Sequence, residues 1–269
     1  MRILNGKELS EYITERQARQ IRTLRQSFKV VPKLAIIQTI DDPVIDTYVR
    51  LKGNYGEDIV ADVAVHKIDQ KDLLSTIATL NEDDTVHGII IQLPLADPSQ
   101  TDEAVNAVLP AKDVDGLGED ATLTPATAMA IDWLLAGYNV DLKGRHIVIV
   151  GNGRLVGAPL AKLWGTAGLD VTVLDDTTTD LAAEVRKGQV VVTATGVPGL
   201  ITTTMLQPSA AVVDAGTASE NGKLVGDVAE SVRERSDLTI TPLKGGVGPL
   251  TVTALFDNLI LATRATVEK

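Results

Sequence analysis

The chain has 269 residues, a formal net charge of −11, 44% hydrophobic residues and no cysteine. The acidic balance disfavours a nucleic-acid binder, and the lack of cysteine excludes disulfides, thiolate metal ligands and a cysteine nucleophile. Because no histidines are spaced i, i+4 and no apolar run approaches membrane length, we expect a cytoplasmic protein with no metal site and no membrane span.

In the first half, apolar periodicity predicts alternating helices and strands. We predict helices at 7–28, 42–56, 70–81 and 101–110, and strands at 33–40, 59–68 and 86–95. A polar loop at 111–123 marks a domain boundary, and a helix at 124–140 bridges to the next unit.

The second half repeats the alternation. We predict strands at 146–151, 170–175, 189–196, 210–216 and 238–242, and helices at 155–168, 179–188, 203–207 and 250–265. Alternating elements predict mostly parallel sheets covered by helices on both faces. We therefore expect an α/β protein of two domains, 1–120 plus 249–269 and 121–248, with a cleft between them and the last helix returning to the first domain.

A glycine-rich loop follows the apolar strand at 146–150. Gly151, Gly153 and Gly157 stand where the strand ends and a helix begins, the setting in which backbone amides hold a pyrophosphate. Asp175 and Asp176 end the next strand, 24 residues after Gly151, near the interval expected for the acid that binds a ribose. The pattern favours a dinucleotide site over a plain glycine turn.

Three further motifs in the first half carry polar groups that could serve a ligand site. Tyr48 and Lys52 share one helix face, although a lone pair of this kind is more often a solvated lysine beside a tyrosine. Gln92 ends an apolar strand, where it either meets a ligand or bonds neighbouring backbone. Asp113 and Asp115 stand next to a glycine turn, and a simple Asx turn explains them equally well.

These pieces together resemble the bifunctional methylenetetrahydrofolate dehydrogenase/methenyltetrahydrofolate cyclohydrolase family. The resemblance covers nearly the whole chain, in the order DTYVRLK, GIIIQLPL, KDVDG, TP, GNGRLVGAP, GKLVGD and KGGVGPLTV. It implies that Tyr48 stacks on the pterin, Lys52 is the central catalytic residue, Gln92 bonds Lys52, and Asp115 anchors the amino-substituted edge of the pterin.

The resemblance also implies the remaining binding residues and partners. The folate side is expected to include Leu93 and the loop that starts at Lys244, with Gly245, Gly246, Gly248 and Pro249. The dinucleotide is expected to contact Gly151, Asn152, Gly153, Leu155, Val156, Asp175, Asp176, Thr195, Gly196 and Thr217. Tetrahydrofolate derivatives are the implied substrates, NAD or NADP the cofactor, and a homodimer the assembly.

The implied chemistry favours an uncharged lysine. Hydride loss from the methylene bridge leaves a methenyl cation, which a protonated Lys52 would repel. Burial would lower the pKa of Lys52, and the neutral amine could then assist the attack of water.

The sequence departs from the family pattern mainly at the glycine loop. Asn152, Gly153 and Ala158 stand where the family commonly has Arg, Ser and Arg, and Asp175 with Asp176 replaces a His-Ser-like pair. These changes favour NAD over NADP, because a carboxylate accepts the free ribose hydroxyl and repels a 2′-phosphate; Arg154 is the one nearby cation. Thr127 and Lys244 replace a glycine and a proline that help to shape the family's folate pocket.

Two alternatives remain at this stage. A shikimate-dehydrogenase-like oxidoreductase has a similar length and domain order, but gives no reason for KDVDG or KGGVGP. A non-catalytic folate- or nucleotide-binding paralogue would explain the departures, but not the retention of Tyr48, Lys52, Gln92 and Asp115 together.

Overall fold

The structure is a computed structural model that describes residues 1–220 and 223–268. Gly222, within the GKLVGD motif, lies outside the described residues. The chain forms two compact units: Glu11–Ala126 with the chain from Val252 onward, and Met1–Ser10 with Thr127–Thr251. We call these the first and the second unit.

Helices and strands alternate along most of the chain. The α-helices are α1 (Gly6–Thr23), α2 (Pro43–Ile59), α3 (Leu73–Glu82), α4 (Thr101–Ala107), α5 (Ala126–Gly137), α6 (Gly157–Thr166), α7 (Leu181–Val185) and α8 (Val247–Val267). The strands are β1 (Arg2–Ile3), β2 (Lys33–Gln38), β3 (Asp62–Lys67), β4 (Gly88–Ile91), β5 (His146–Val150), β6 (Asp170–Leu174), β7 (Val190–Thr193), β8 (Ala211–Asp214), β9 (Ala218–Glu220), β10 (Lys223–Val225) and β11 (Thr239–Ile240).

The first unit is built on a parallel three-stranded sheet in the order β3-β2-β4. β2 and β4 are almost entirely buried, as expected of parallel strands that are covered on both faces. On one face, Ile37 and Ile91 pack with Ile77 of α3 and Val105 of α4. An isolated bridge between Ile89 and Asp113 extends the sheet towards the KDVDG loop.

The second unit contains a parallel six-stranded sheet in the order β1-β11-β8-β7-β5-β6. Its central strands β5 and β7 are runs of buried valine and isoleucine. Parallel strands joined through helices bring their carboxyl ends to one edge of the sheet, where ligands bind in open α/β folds.

Helix α2 has its ends fixed by local chemistry. The side chain of Asp42 accepts hydrogen bonds from the amides of Val44 and Ile45, and Pro43 occupies the first turn, where it needs no donor. Val60 ends the helix in a left-handed conformation. The capped start fixes the register of α2, and hence the face that carries Tyr48 and Lys52.

Helix α8 begins in the second unit and runs into the core of the first, as predicted. Phe256 is fully buried and lies 5.1 Å, centroid to centroid, from the ring of Tyr55 on α2. The helix has the length and apolar composition of a membrane span, although more than half of its most apolar stretch is buried inside the protein. These features match the core helix of a globular fold.

Several element limits differ from the predictions. α2 extends three residues past the predicted end, so β3 starts at Asp62 instead of Ile59. α8 starts at Val247 and takes in Gly248 and Pro249, for which the sequence predicts a loop, because proline is well tolerated in a first helical turn. The predicted helix at 203–207 is a short 3₁₀ turn, and the hairpin of β9 and β10 was not anticipated.

Residues 1–10 cluster with the second unit, whereas we had assigned them to the first domain. The cause is backbone pairing: β1 pairs with β11, and the amide of Lys7 donates to the carbonyl of Gly245 over 3.0 Å. Gly6 also packs so closely on Gly246 that a side chain there would overlap its carbonyl.

Candidate active site

Lys52 and Gln92 form a direct hydrogen bond. The ammonium Nζ of Lys52, on α2, donates to Oε1 of Gln92 over 2.7 Å. Gln92 directly follows β4, and its Nε2 donates to the carbonyl of Leu93 over 3.0 Å. The interpretation that Gln92 bonds the neighbouring backbone therefore holds, and its other end accepts the hydrogen bond from Lys52 that the family resemblance implies.

The electrostatics of Lys52 and Asp115 are coupled. Burial lowers the pKa of Lys52, and the negative charge of Asp115 opposes that shift. Burial raises the pKa of Asp115 to about 6, with Lys52 lowering it and Asp113 raising it further. The structure thus brings a lysine that is easier to neutralise next to a carboxyl group that titrates near neutral pH.

The two aspartates of the KDVDG loop have different roles. Asp113 is buried, and its carboxylate accepts the amides of Gly116 and Gly118 at 2.9 and 2.8 Å. It therefore forms the Asx-type turn that the sequence left open. Asp115 has no hydrogen-bond partner in the described part of the chain, so its carboxylate remains available to a ligand.

A buried asparagine on α8 holds this loop. Nδ2 of Asn258 donates to the carbonyls of Val114 and Thr124 at 2.9 and 2.8 Å. Gly116 has φ +70°, and a side chain there would press on the backbone of Leu123 and Pro125. Sequence reasoning missed Asn258, because an asparagine within an apolar helix gives no sign of the distant backbone groups that it binds.

Tyr48 lies on the exposed face of α2, one turn before Lys52, and remains 43% exposed. A large, half-exposed ring beside the part-buried Lys52 is suited to stacking against a planar ligand. No described contact of the protein uses its hydroxyl group.

The glycine loop of the second unit has the geometry of a phosphate-binding turn. Gly151 has φ +102°, and a side chain at Gly157 would overlap the carbonyl of Gly151, so the helix starts in contact with the strand exit. A side chain at Gly153 would meet nothing within 4 Å. Asn152 and Leu155 are exposed, and Val156 immediately precedes α6. The loop therefore leaves its backbone open at the start of a helix, as a dinucleotide requires.

Asp175 follows β6 and forms a local turn. Its Oδ1 accepts the amide and the hydroxyl of Thr177 at 3.0 and 2.6 Å. Both hydrogen bonds lower the pKa of the Asp175 carboxyl group, and the one from the Thr177 hydroxyl has the larger effect. Asp176 beside it is exposed. The strand therefore ends in an ionised, fixed carboxylate followed by a second acidic residue.

Thr195 and Gly196 follow β7, and Thr217 follows β8. The amide of Thr195 donates to Oδ2 of Asp227 over 2.6 Å, and Gly196 has φ +70°. The structure therefore places these predicted cofactor residues at the exits of neighbouring parallel strands. Asp227 itself was not predicted, since it lies after an unanticipated hairpin.

The predicted folate loop belongs to the second unit. Gly245 has φ +82°, Gly246 is buried against Gly6, and Lys244 is exposed. Gly248 and Pro249 lie in the first turn of α8. The role of these residues towards folate stays a prediction.

Comparison with known proteins identifies relatives for both parts of the chain. Residues 4–115 match the catalytic domain of tetrahydrofolate dehydrogenase/cyclohydrolase, and residues 125–267 match the NAD(P)-binding domain of the same family. The bifunctional protein FolD of Nautilia profundicola is 37% identical over 280 residues, covering 98% of each chain.

Solved structures show the same similarity. The bifunctional FolD methylenetetrahydrofolate dehydrogenase/cyclohydrolase of Campylobacter jejuni is 34% identical, with a TM-score of 0.94 and 99% of each chain covered. The Trypanosoma brucei enzyme, solved with NADP and an inhibitor, is 29% identical with a TM-score of 0.92, covering 99% of this chain and 98% of that one. These matches favour the folate-enzyme interpretation over a shikimate dehydrogenase.

Proposed function

Because the chain belongs to the tetrahydrofolate dehydrogenase/cyclohydrolase family, we propose that it oxidises methylenetetrahydrofolate with a nicotinamide dinucleotide and hydrolyses the methenyl product to formyltetrahydrofolate. The observation that carries this proposal is the hydrogen bond from Lys52 to Gln92 next to Asp115, in a setting that lowers the pKa of the lysine.

Lys52 serves the hydrolytic step. Water adds to the methenyl carbon and loses a proton. One carbon–nitrogen bond then breaks as the departing nitrogen takes up a proton, and the remaining hydroxyl proton passes to solvent as the formyl carbonyl forms. Lys52 in its neutral form accepts the proton of water and can return it to the departing nitrogen. Gln92 orients the lysine without adding a charge that would stabilise the ammonium form.

Asp115 binds the pterin in this proposal. Its carboxylate can accept two parallel hydrogen bonds from an amino-pyrimidinone edge. Because Asp115 forms no hydrogen bond within residues 1–220 and 223–268, binding the pterin breaks none. Tyr48 offers its exposed ring as a stacking surface for the same ligand. Leu93, beside Gln92, completes the predicted folate contacts in the first unit.

The glycine loop suits the dinucleotide. Gly151 and Gly157 bring strand and helix together, and the open space at Gly153 leaves the backbone accessible. Amides at the start of α6 can donate to the pyrophosphate, and the helix dipole favours its negative charge. The dinucleotide, when bound, supplies the hydride acceptor.

Asp175 is proposed to select NAD over NADP. Thr177 fixes its carboxylate, and the lowered pKa keeps it ionised at neutral pH. An ionised carboxylate favours a ribose hydroxyl and repels a 2′-phosphate. The three positions in the glycine loop that carry Asn152, Gly153 and Ala158 provide no compensating cation.

Selectivity is measured as kcat/KM with NAD and with NADP at one ionic strength. We expect a preference for NAD, and we expect Asp175→Ser to move the ratio towards NADP by about tenfold, the loss of one close like-charge contact. Asp170→Ser is the matched control, since it removes a carboxylate from the opposite end of β6. A wild-type preference for NADP would refute this assignment.

We also propose a cytoplasmic homodimer. Strand β3 lies at the edge of its sheet, is six residues long and exposes Val65. Such an edge offers unpaired backbone groups to a second copy. Light scattering after size exclusion measures the mass, and Val63→Pro, which disrupts the edge, is expected to shift the mass towards the monomer.

The activity test follows both steps by absorbance. Methylenetetrahydrofolate supplied with NAD or NADP should give reduced nicotinamide, with methenyl absorbance rising and then decaying. If folate binds but neither signal appears, the chain is the non-catalytic paralogue.

A further inference from the structure

Asp227 is a buried carboxylate that the proposed mechanism does not use. It is 1% exposed and follows the hairpin of β9 and β10. Its Oδ2 accepts the hydroxyl of Thr193 and the amide of Thr195, both at 2.6 Å. The carboxylate thus fixes the end of β7 and the turn that leads from Thr195 into Gly196.

The same carboxylate lies against the exit of β8. A side chain at Gly216 would overlap the carboxylate of Asp227, so the backbone there passes directly over it. The amide of Asp227 donates to Oδ1 of Asp214 over 3.1 Å, and Asp214 ends β8 opposite Thr193. Both strand exits therefore take their position from Asp227.

The charges around Asp227 do not balance. Asp214 is paired with Arg233, whose Nη2 lies 2.8 Å from its Oδ2, and Nη1 of Arg233 donates to the carbonyl of Thr241 over 2.6 Å. Asp227 has no ion-pair partner in the described part of the chain, and its buried Oδ1 accepts no hydrogen bond there. The guanidinium of Arg233 is thus engaged by Asp214 and not by Asp227.

The carboxyl group of Asp227 is short of partners for its depth. Its Oδ2 accepts two hydrogen bonds, whereas its buried Oδ1 accepts none among residues 1–220 and 223–268. The carboxyl group of Asp227 therefore lies without a cation of its own at the edge of the sheet where ligands bind.

We propose that Asp227 is a positioning residue that fixes the dinucleotide-facing exits of β7 and β8, and that its uncompensated charge makes the site prefer the oxidised, cationic nicotinamide over the neutral reduced one. The proposal rests on the function proposed above. Such a bias suits the reaction, since the oxidised dinucleotide must bind and the reduced one must leave.

The test is the ratio of two dissociation constants, measured by calorimetry without folate, for the reduced and the oxidised form of the preferred dinucleotide. Asp227→Asn keeps an acceptor for Thr193 and Thr195 but removes the charge. We expect it to lower the ratio of reduced to oxidised Kd about three- to tenfold, as for loss of one charge at medium range. Asp141→Asn, which removes an exposed carboxylate just before β5, should leave the ratio unchanged.

A purely structural role would weaken both forms equally, so an unchanged ratio in folded Asp227→Asn would overturn the proposal while leaving the enzyme assignment intact. If wild-type protein binds neither form, the cofactor assignment fails as well. Arg233→Gln provides a second test should Asp227→Asn not fold: it removes the counter-charge, so the ratio should rise, and a fall would contradict the proposal.

Discussion

At the scale of single residues, Lys52 combines two opposing influences. Burial lowers the pKa of Lys52 and so disfavours its ammonium form, whereas the negative charge of Asp115 favours that form. Because the net shift of its pKa is downward, Lys52 gives up its proton more readily than an exposed lysine does.

Lys52→Ala is expected to lower methenyl hydrolysis at least about 100-fold, the usual contribution of a general acid–base group, while folate binding changes little. Lys52→Arg should lower the rate of methenyl hydrolysis to a similar extent, because a guanidinium group does not deprotonate in proteins. Stopped-flow decay of methenyl absorbance, corrected for the spontaneous rate, measures the effect. Arg50→Ala, an exposed change on the same helix, is the control. Near-normal hydrolysis by Lys52→Ala would exclude this lysine.

Asp115 should give folate binding a pH dependence. The pKa of its carboxyl group is raised to about 6, so the group is ionised above that value and neutral below it. We therefore expect KM for methylenetetrahydrofolate to rise as pH falls from 7 to 5, while dinucleotide Kd stays flat. The stability of the fold changes with pH in the opposite direction. Above about pH 6, burial of the charged Asp115 carboxylate lowers the free energy of unfolding, and this loss disappears as the pH falls and the group takes up a proton.

Asp115→Asn should weaken folate binding at pH 7 and abolish this pH dependence, with no loss of dinucleotide affinity. Binding titrations at pH 5, 6 and 7 measure both effects. Equal losses for folate and dinucleotide would instead indicate a structural role for Asp115.

At the scale of elements, the close contact between a strand exit and a helix start shapes the dinucleotide loop. Gly157 begins α6 directly against the carbonyl of Gly151. We expect Gly157→Ala to displace the loop and weaken dinucleotide binding more than about tenfold, since the overlap is with backbone that cannot move aside. Folate binding should be preserved.

Gly165→Ala is the matched control for this change. Gly165 lies on the same helix and has nothing within 4 Å of the added methyl group. Because alanine is the better helix former, this variant should be up to about 1 kcal/mol more stable and bind dinucleotide normally. If both variants bind equally well, the contact with Gly151 does not control the loop.

At the scale of the whole molecule, α8 links the end of the chain to the catalytic loop. Asn258→Leu keeps the approximate shape but leaves the carbonyls of Val114 and Thr124 without their donor. We expect a loss of about 2–4 kcal/mol in the free energy of unfolding, and weaker folate binding through Asp115.

Urea unfolding and folate titration measure these two effects. Thr263→Val is the control, because the buried hydroxyl of Thr263 donates to the carbonyl of Leu259 within α8 itself. If Asn258→Leu lowers stability no more than Thr263→Val, the asparagine does not hold the loop.

The sequence by itself determined the α/β class, the order of nearly all long elements and the pairing of Lys52 with Gln92. These follow from local information: apolar runs, capping residues, glycines at strand ends and a resemblance spread along the whole chain. Where two features competed locally, as at the end of α2 and the start of α8, the predicted limits were wrong by a few residues.

The tertiary structure decided what depends on groups distant in the chain. It separated Asp113, which fixes a turn, from Asp115, whose pKa reflects burial by other elements. It joined residues 1–10 to the second unit and placed Asn258 on backbone more than 130 residues away. Burial, hydrogen-bond satisfaction and uncompensated charge, as at Asp227, arise only when the folded chain brings such groups together, so no local pattern specifies them.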